Sequence, residues 1–124
     1  LHKYDYASLN NVLFAGEVFH LEVFNTLLNC WPRKNYSNLY GPTETNVCTF
    51  FKVNLSKMNY STFPIGKACD YAELIILDEN ENEITDINTQ GELLVSGKSL
   101  FNEYWNDVVK SNETSYSDKF KKRF

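Results

Sequence analysis

"NLYGPTETNVCTF", residues 38–50, is the stretch on which the reading of this chain turns. The apolar pair Leu39-Tyr40 runs into Gly41-Pro42, a strong turn signal. The polar triplet Thr43-Glu44-Thr45 that follows is more than a turn requires. A carboxylate at the carboxyl end of a strand can hold Mg2+, a hard cation that takes oxygen ligands and bridges to substrate phosphates. A hydroxyl beside it can donate to a phosphate oxygen. The plainer alternative is a turn whose Thr43 and Glu44 cap a following helix, and position and composition alone favour that alternative.

Working outward, "NNVLFAGE" (10–17) is a short apolar run ended by glycine, a buried strand leaving into a loop. Phe19, Val23, Phe24, Leu27, Leu28 and Trp31 then lay one apolar stripe on a helix, which Pro32 stops. "YSNLY" (36–40) returns as a second strand into Gly41-Pro42. Strand, helix and strand at this spacing predict a βαβ crossover with parallel neighbours. Its two loops, "AGE" and "GPTE", then emerge at one edge of the sheet, where open α/β sheets bind ligands. Tyr40 offers a ring that can stack on a base, and Asn38 an amide that can read an exocyclic amine. Each has a structural alternative in core filling or local backbone bonding. Gly16 allows close approach to a flat ligand, or merely a turn.

The second half changes character. Residues 72–97 hold a strand-like run, an acidic stretch and another strand, a pattern for antiparallel pairing across a long solvated loop. The acidic cluster Asp78, Glu79, Glu81, Glu83 and Asp86 lacks the ligand register and central glycine of an EF-hand, so it reads as a solvated loop. A short helix is expected at 99–105, and 107–120 is polar and only weakly periodic. The fold class is therefore α/β, with a parallel βαβ portion over 1–62 and a mainly antiparallel β portion with a polar tail over 63–124.

At 124 residues the chain is one domain or a piece of one, and 43% hydrophobic with 15% aromatic residues suits a globular protein. A net charge of −4 argues against nucleic-acid binding, which needs clustered Lys and Arg. The one basic cluster, "KFKKRF" at 119–124, reads as a solvated tail. Cys30, Cys48 and Cys69 are odd in number and widely spaced, as expected of reduced thiols in a cytoplasmic protein. With only His2 and His20 as possible bases, and neither placed by a motif, a nucleophilic Cys48 is not supported. No apolar run approaches the ~20 residues of a membrane span. The start at Leu1, without methionine or a signal-like lead, suggests a chain cut from something longer.

"NLYGPTET" resembles the Y-G-P-T-E signature of the adenylate-forming enzymes, especially the amino-acid adenylation domains of nonribosomal peptide synthetases and their free-standing relatives. Other blocks follow in that family's order. "VLFAGEVF" (12–19) is similar to its strand and adenine-site loop, "FPIGKAC" (63–69) to its P-I-G-K/R segment, and "LIILDENENEI" (74–84) to the hairpin that follows. "GELLVSGKSLFNEYWN" (91–106) resembles the G-E-L-x-I-x-G block and its downstream G-Y, here Glu103-Tyr104. Essentially the whole chain is covered, as the central part of one large N-terminal adenylation domain.

The resemblance reverses the preference for the capping reading of Glu44. It implies ATP and Mg2+, with Glu44 as metal ligand and Thr43 at the α-phosphate, these two being the catalytic pair. Tyr40 would stack on adenine, Asn38 would bond its amino group, and Gly16 would line the opposite side. It further implies amino-acid activation with release of pyrophosphate, then transfer to the phosphopantetheine thiol of a carrier protein. Substrate-lining positions would be Leu13, Ala15, Leu39, Gly41, Val47 and Cys48. Small and apolar, they suit a compact hydrophobic side chain and penalise a charged one. The set looks most like that of proline-activating carrier-protein ligases and less like that of the D-alanine ligases. A non-catalytic binding module that keeps the fold is the other reading, and the intact Thr43-Glu44 pair speaks against it.

The chain also departs from the family pattern. It has no Ser/Thr/Gly-rich phosphate loop and no acidic anchor for the substrate amine, and it stops before the expected T-G-D block and the small C-terminal domain. The usual A-R-G-Y has become Phe101-Asn102-Glu103-Tyr104.

Overall fold

A computed structural model describes residues 4–115. The basic tail at 119–124 and His2 lie outside the described residues. The chain divides into two compact units, one of residues 1–41 and 49–67, the other of residues 42–48 and 68–124.

In the first unit, β1 (Asn11–Phe14) leads into α1 (Leu21–Cys30) and returns as β2 (Asn35–Tyr40). β1 and β2 pair in parallel, with Asn11 opposite Asn35 and Phe14 opposite Asn38, which establishes the βαβ crossover. Helix α1 begins without a side-chain cap on His20, so its stability comes from packing rather than from its ends. Phe24, on the expected stripe, is wholly buried. It sits among Phe14, Phe19, Tyr36 and Phe63, with ring centroids between 4.4 and 6.5 Å apart. Such pairs each contribute about 1 kcal/mol beyond the area they bury. The Trp31 amide closes the helix on Leu27 at 2.8 Å, and Pro32 lacks the donor to continue it. The Tyr36 hydroxyl donates to the Trp31 carbonyl at 2.6 Å, tying the end of α1 to β2.

Antiparallel pairing starts earlier than residue 63. β3 (Thr49–Lys52) lies antiparallel to β2, Tyr40 facing Thr49, and the sheet order is β1-β2-β3-β4 with β4 at Lys67–Ala68. Gly66, at φ +88°, stands where a Cβ would lie 2.0 Å from the Phe50 carbonyl oxygen, so only glycine fits.

In the second unit, β5 (Ala72–Leu77) and β6 (Glu92–Gly97) form the expected antiparallel pair through six residues. Its core is small: Cys48, Ala72 and Val95, with Cys69, Leu74 and Leu93 packed against them. The acidic stretch is organised by Asp78, whose carboxylate accepts from the amides of Asn80 and Asn82 at 2.8 Å each. A tight turn results, and Ile84 bonds back to Ile76 at 2.8 Å. Asp78 thus serves as an Asx-turn acceptor. Gly97, at φ +142°, again leaves no room: a Cβ would lie 2.1 Å from the Tyr71 carbonyl oxygen.

The helix expected at 99–105 is not formed. Phe101 instead gives its amide to the Glu44 carbonyl at 2.7 Å, a bond that draws the segment out of helical conformation. The helix comes later, as α2 (Val108–Thr114), because Asp107 supplies a cap that accepts from the Lys110 amide at 3.0 Å.

Candidate functional site

Within the first unit, the parallel pairing places Ala15-Gly16 beyond the end of β1 and Tyr40-Gly41 at the end of β2, on one edge of the sheet. Asn38 is nearly buried, and its amide nitrogen donates to the Pro64 carbonyl at 2.9 Å. One of its two N–H donors is therefore held by the "FPIGKAC" segment, and its carbonyl oxygen is an acceptor of the kind that suits an amine. Tyr40 is 40% exposed at the sheet edge, while Leu39 is half-buried. Gly16 has φ +91° and open space where a Cβ would stand, so its role there is conformational. Leu13 is exposed, as is Ala15.

The second unit holds the remaining candidates. Pro42 to Thr45 form a turn closed by the Thr45 amide on the Pro42 carbonyl at 3.2 Å. The buried Thr45 hydroxyl donates to the Asn46 carbonyl at 2.9 Å. Asn46 lies at φ +55°, and its side-chain oxygen accepts from the Val47 amide at 2.7 Å. The turn is thus fixed by its own polar groups and leads to β3 without a helix, which removes the capping reading of Thr43 and Glu44. Thr43 is exposed beside Glu44. Val47 lines a depression of about 580 Å³ with Asn46, Tyr71, Lys98 and Ser99. Cys48 is wholly buried in the core and offers no surface. All three cysteines are free thiols.

Glu44 has a partner that the linear motif did not reveal. Its Oε1 accepts a short hydrogen bond from the hydroxyl of Tyr104, 60 residues away. That bond is the main reason the Glu44 carboxyl stays below its ordinary value, with Lys110 adding to the effect, and it pushes the Tyr104 phenol up. Lys110 stands 4.5 Å from the centre of the Tyr104 ring. The signal for these residues was present but weak: an Asp before an apolar pair marks a helix start at 107, and Lys110 lies in its first turn.

The donors at the turn, an ionised carboxylate and a hydroxyl, are hard oxygens of the kind Mg2+ prefers. Among the described residues no group of three or more His, Cys, Asp or Glu gathers into a metal cluster. A cation here would complete its shell from water and phosphate oxygens, the usual arrangement for Mg2+ at nucleotide sites. Among the described residues no helix is long and apolar enough to cross a membrane.

Residues 1–105 match the family described as AMP-binding enzyme. The chain belongs to that family. An L-proline–[L-prolyl-carrier protein] ligase of Streptomyces coelicolor is 37% identical over 89% of this chain and 21% of its own length. A D-alanine–D-alanyl carrier protein ligase of Lacticaseibacillus casei is 30% identical over 91% of this chain and 22% of its own. A mouse mitochondrial medium-chain acyl-CoA ligase is 26% identical over 95% of this chain and 19% of its own. Among solved structures, PA1221, an NRPS protein containing adenylation and PCP domains, superposes with a TM-score of 0.83 at 26% identity, over 94% of this chain and 24% of that one. The chain spans about a fifth of the length of the curated relatives it matches.

Proposed function

We propose that this chain is the central part of the adenylation domain of a cytoplasmic amino-acid ligase that uses ATP. The ligase joins the amino acid's carboxylate to the α-phosphate, releases pyrophosphate, and passes the aminoacyl group to a carrier protein's phosphopantetheine thiol. The observation that carries this reading is the Thr43-Glu44 turn: it is held by its own hydrogen bonds, caps nothing, and has its Glu44 carboxylate held by the Tyr104 hydroxyl. A turn with only a connecting role has no use for a carboxylate restrained across 60 residues.

The roles follow from the chemistry of each group. The Asn38 side-chain oxygen accepts from the adenine amino group, and the Tyr40 ring stacks on the base, with Gly16 lining its other side. Thr43 donates to an α-phosphate oxygen. Glu44 supplies a metal ligand, and Mg2+ when bound neutralises charge that develops on the phosphates. Leu13, Ala15, Leu39 and Gly41 are the acyl-lining positions of the first unit and Val47 that of the second, while Cys48 belongs to the core. Such a lining favours a compact apolar side chain, and L-proline is the substrate we infer. The identity to the Streptomyces ligase supports it, as do the free thiols for a reducing compartment. D-alanine is the second reading, supported by the Lacticaseibacillus relative.

Amino-acid-dependent ATP–pyrophosphate exchange by the full-length protein tests the proposal, with L-proline expected to be the best of the standard amino acids. No exchange with any amino acid would remove the activity. Preference for D-alanine would change only the pocket assignment, whereas preference for a fatty acid would overturn the amino-acid class. Glu44→Gln should lower exchange by about two orders of magnitude or more with the fold retained.

A further inference from the structure

The bond from Tyr104 to Glu44 belongs to a continuous chain of contacts within the second unit. The Tyr104 amide donates to the Ser111 hydroxyl at 2.9 Å, and that hydroxyl donates to the Asp107 carbonyl at 2.7 Å. Phe101 packs edge-on against the Tyr104 ring at 4.8 Å, while its own amide holds the Glu44 carbonyl at 2.7 Å. Lys110, in the first turn of α2, lies over the ring. The Glu44 backbone and side chain are thus both gripped by residues 101–111, and one carboxylate oxygen is committed to the phenol. A free glutamate on an exposed turn samples several rotamers, and fixing it beforehand removes that entropy from the binding step.

Resting on the adenylating reading above, we propose that Tyr104, seated by Ser111 and Lys110, is the positioning residue for Glu44, holding one carboxylate oxygen and leaving the other as the cation ligand. The arrangement follows a general pattern, in which ligating carboxylates are themselves hydrogen-bonded and loss of that partner costs metal affinity about ten- to a hundredfold. Lys110 contributes through the ring. A cation over the face draws electron density from it and makes the phenol a better donor to Glu44.

The test is Mn2+ binding to the full-length protein, read by electron paramagnetic resonance with a non-hydrolysable ATP analogue present. Thermal unfolding and metal-free nucleotide binding are measured alongside. Tyr104→Phe keeps the ring and its packing but removes the hydroxyl. It should weaken Mn2+ binding about tenfold while metal-free nucleotide binding stays as in wild type. In exchange assays, KM for Mg2+ should rise more than kcat falls. Ser111→Ala, which removes the hydroxyl that accepts from the Tyr104 amide, should weaken Mn2+ binding in the same direction by a smaller factor. Unchanged Mn2+ affinity in a folded Tyr104→Phe protein overturns the proposal. If that variant does not fold, unchanged affinity in Ser111→Ala overturns it. Wild-type protein that binds no Mn2+ with nucleotide overturns the metal role of Glu44 and this inference with it. Wild-type binding that Tyr104→Phe leaves intact overturns this inference alone.

Discussion

The two units are held together by different physics. The first is organised by aromatic rings: Phe24 and Tyr36 are almost wholly buried and join Phe14, Phe19 and Phe63 in one cluster. The second has a core of small residues, Cys48, Ala72 and Val95, and relies on a six-residue β pairing and polar bonds. Asp78 shapes its loop, Asp107 starts its helix, and Tyr104 holds Glu44. An apolar core gains from area buried and tolerates small displacements, whereas polar bonds fail over a few tenths of an ångström. The unit that carries Glu44 is the one built from directional contacts.

The largest effect that would sharpen this contrast is Phe24→Ala. It should cost about 3–5 kcal/mol and speed amide hydrogen exchange in β1, α1 and β2 of the intact protein. Equal loss of protection in β5 and β6 would contradict the separation of the units. Next, Gly97→Ala places a Cβ against the Tyr71 carbonyl at positive φ, and should cost about 2 kcal/mol in the second unit. A neutral result would mean that the β6 terminus yields more easily than its geometry indicates. Asp107→Ala removes the cap of α2 and should cost about 1 kcal/mol, with faster exchange across 108–114. It should also loosen Glu44 slightly through Ser111 and Tyr104.

The smallest effect is a pH dependence at Asp78. The Asn82 amide, then the Asn82 side chain and the Asn80 amide, hold its carboxyl below the ordinary value against a small opposing effect of burial. The folded form therefore favours the ionised acid. Its stabilisation is complete above the unfolded value of about 3.9 and is lost as pH falls through the lower folded value. Hydrogen exchange in residues 78–84 should be insensitive to this group from pH 7 down to about 4 and accelerate below it, and Asp78→Ala should remove that acid step. Persistence of the step in the variant would assign it to another group.

Much of this was legible without coordinates where the signal is local. The stripe from Phe19 to Trp31, the stop at Pro32 and the apolar runs of β5 and β6 are written in neighbouring residues, and their elements formed as expected. The helix expected at 99–105 is absent because Phe101 is drawn to Glu44 by a contact far away in sequence. Conversely, 107–120 looked featureless because the signal for α2 is one capping Asp rather than a hydrophobic face.

The chain by itself determined the parallel crossover, the hairpin and the placing of Thr43 and Glu44 after the end of β2, since periodicity, glycine and proline act over a few residues. Only the tertiary structure decided that Cys48 is core, that the Asn38 amide donates to Pro64, and that Glu44 is held by Tyr104. Contacts between residues 26 or 60 positions apart depend on where whole elements pack, and no local pattern encodes that.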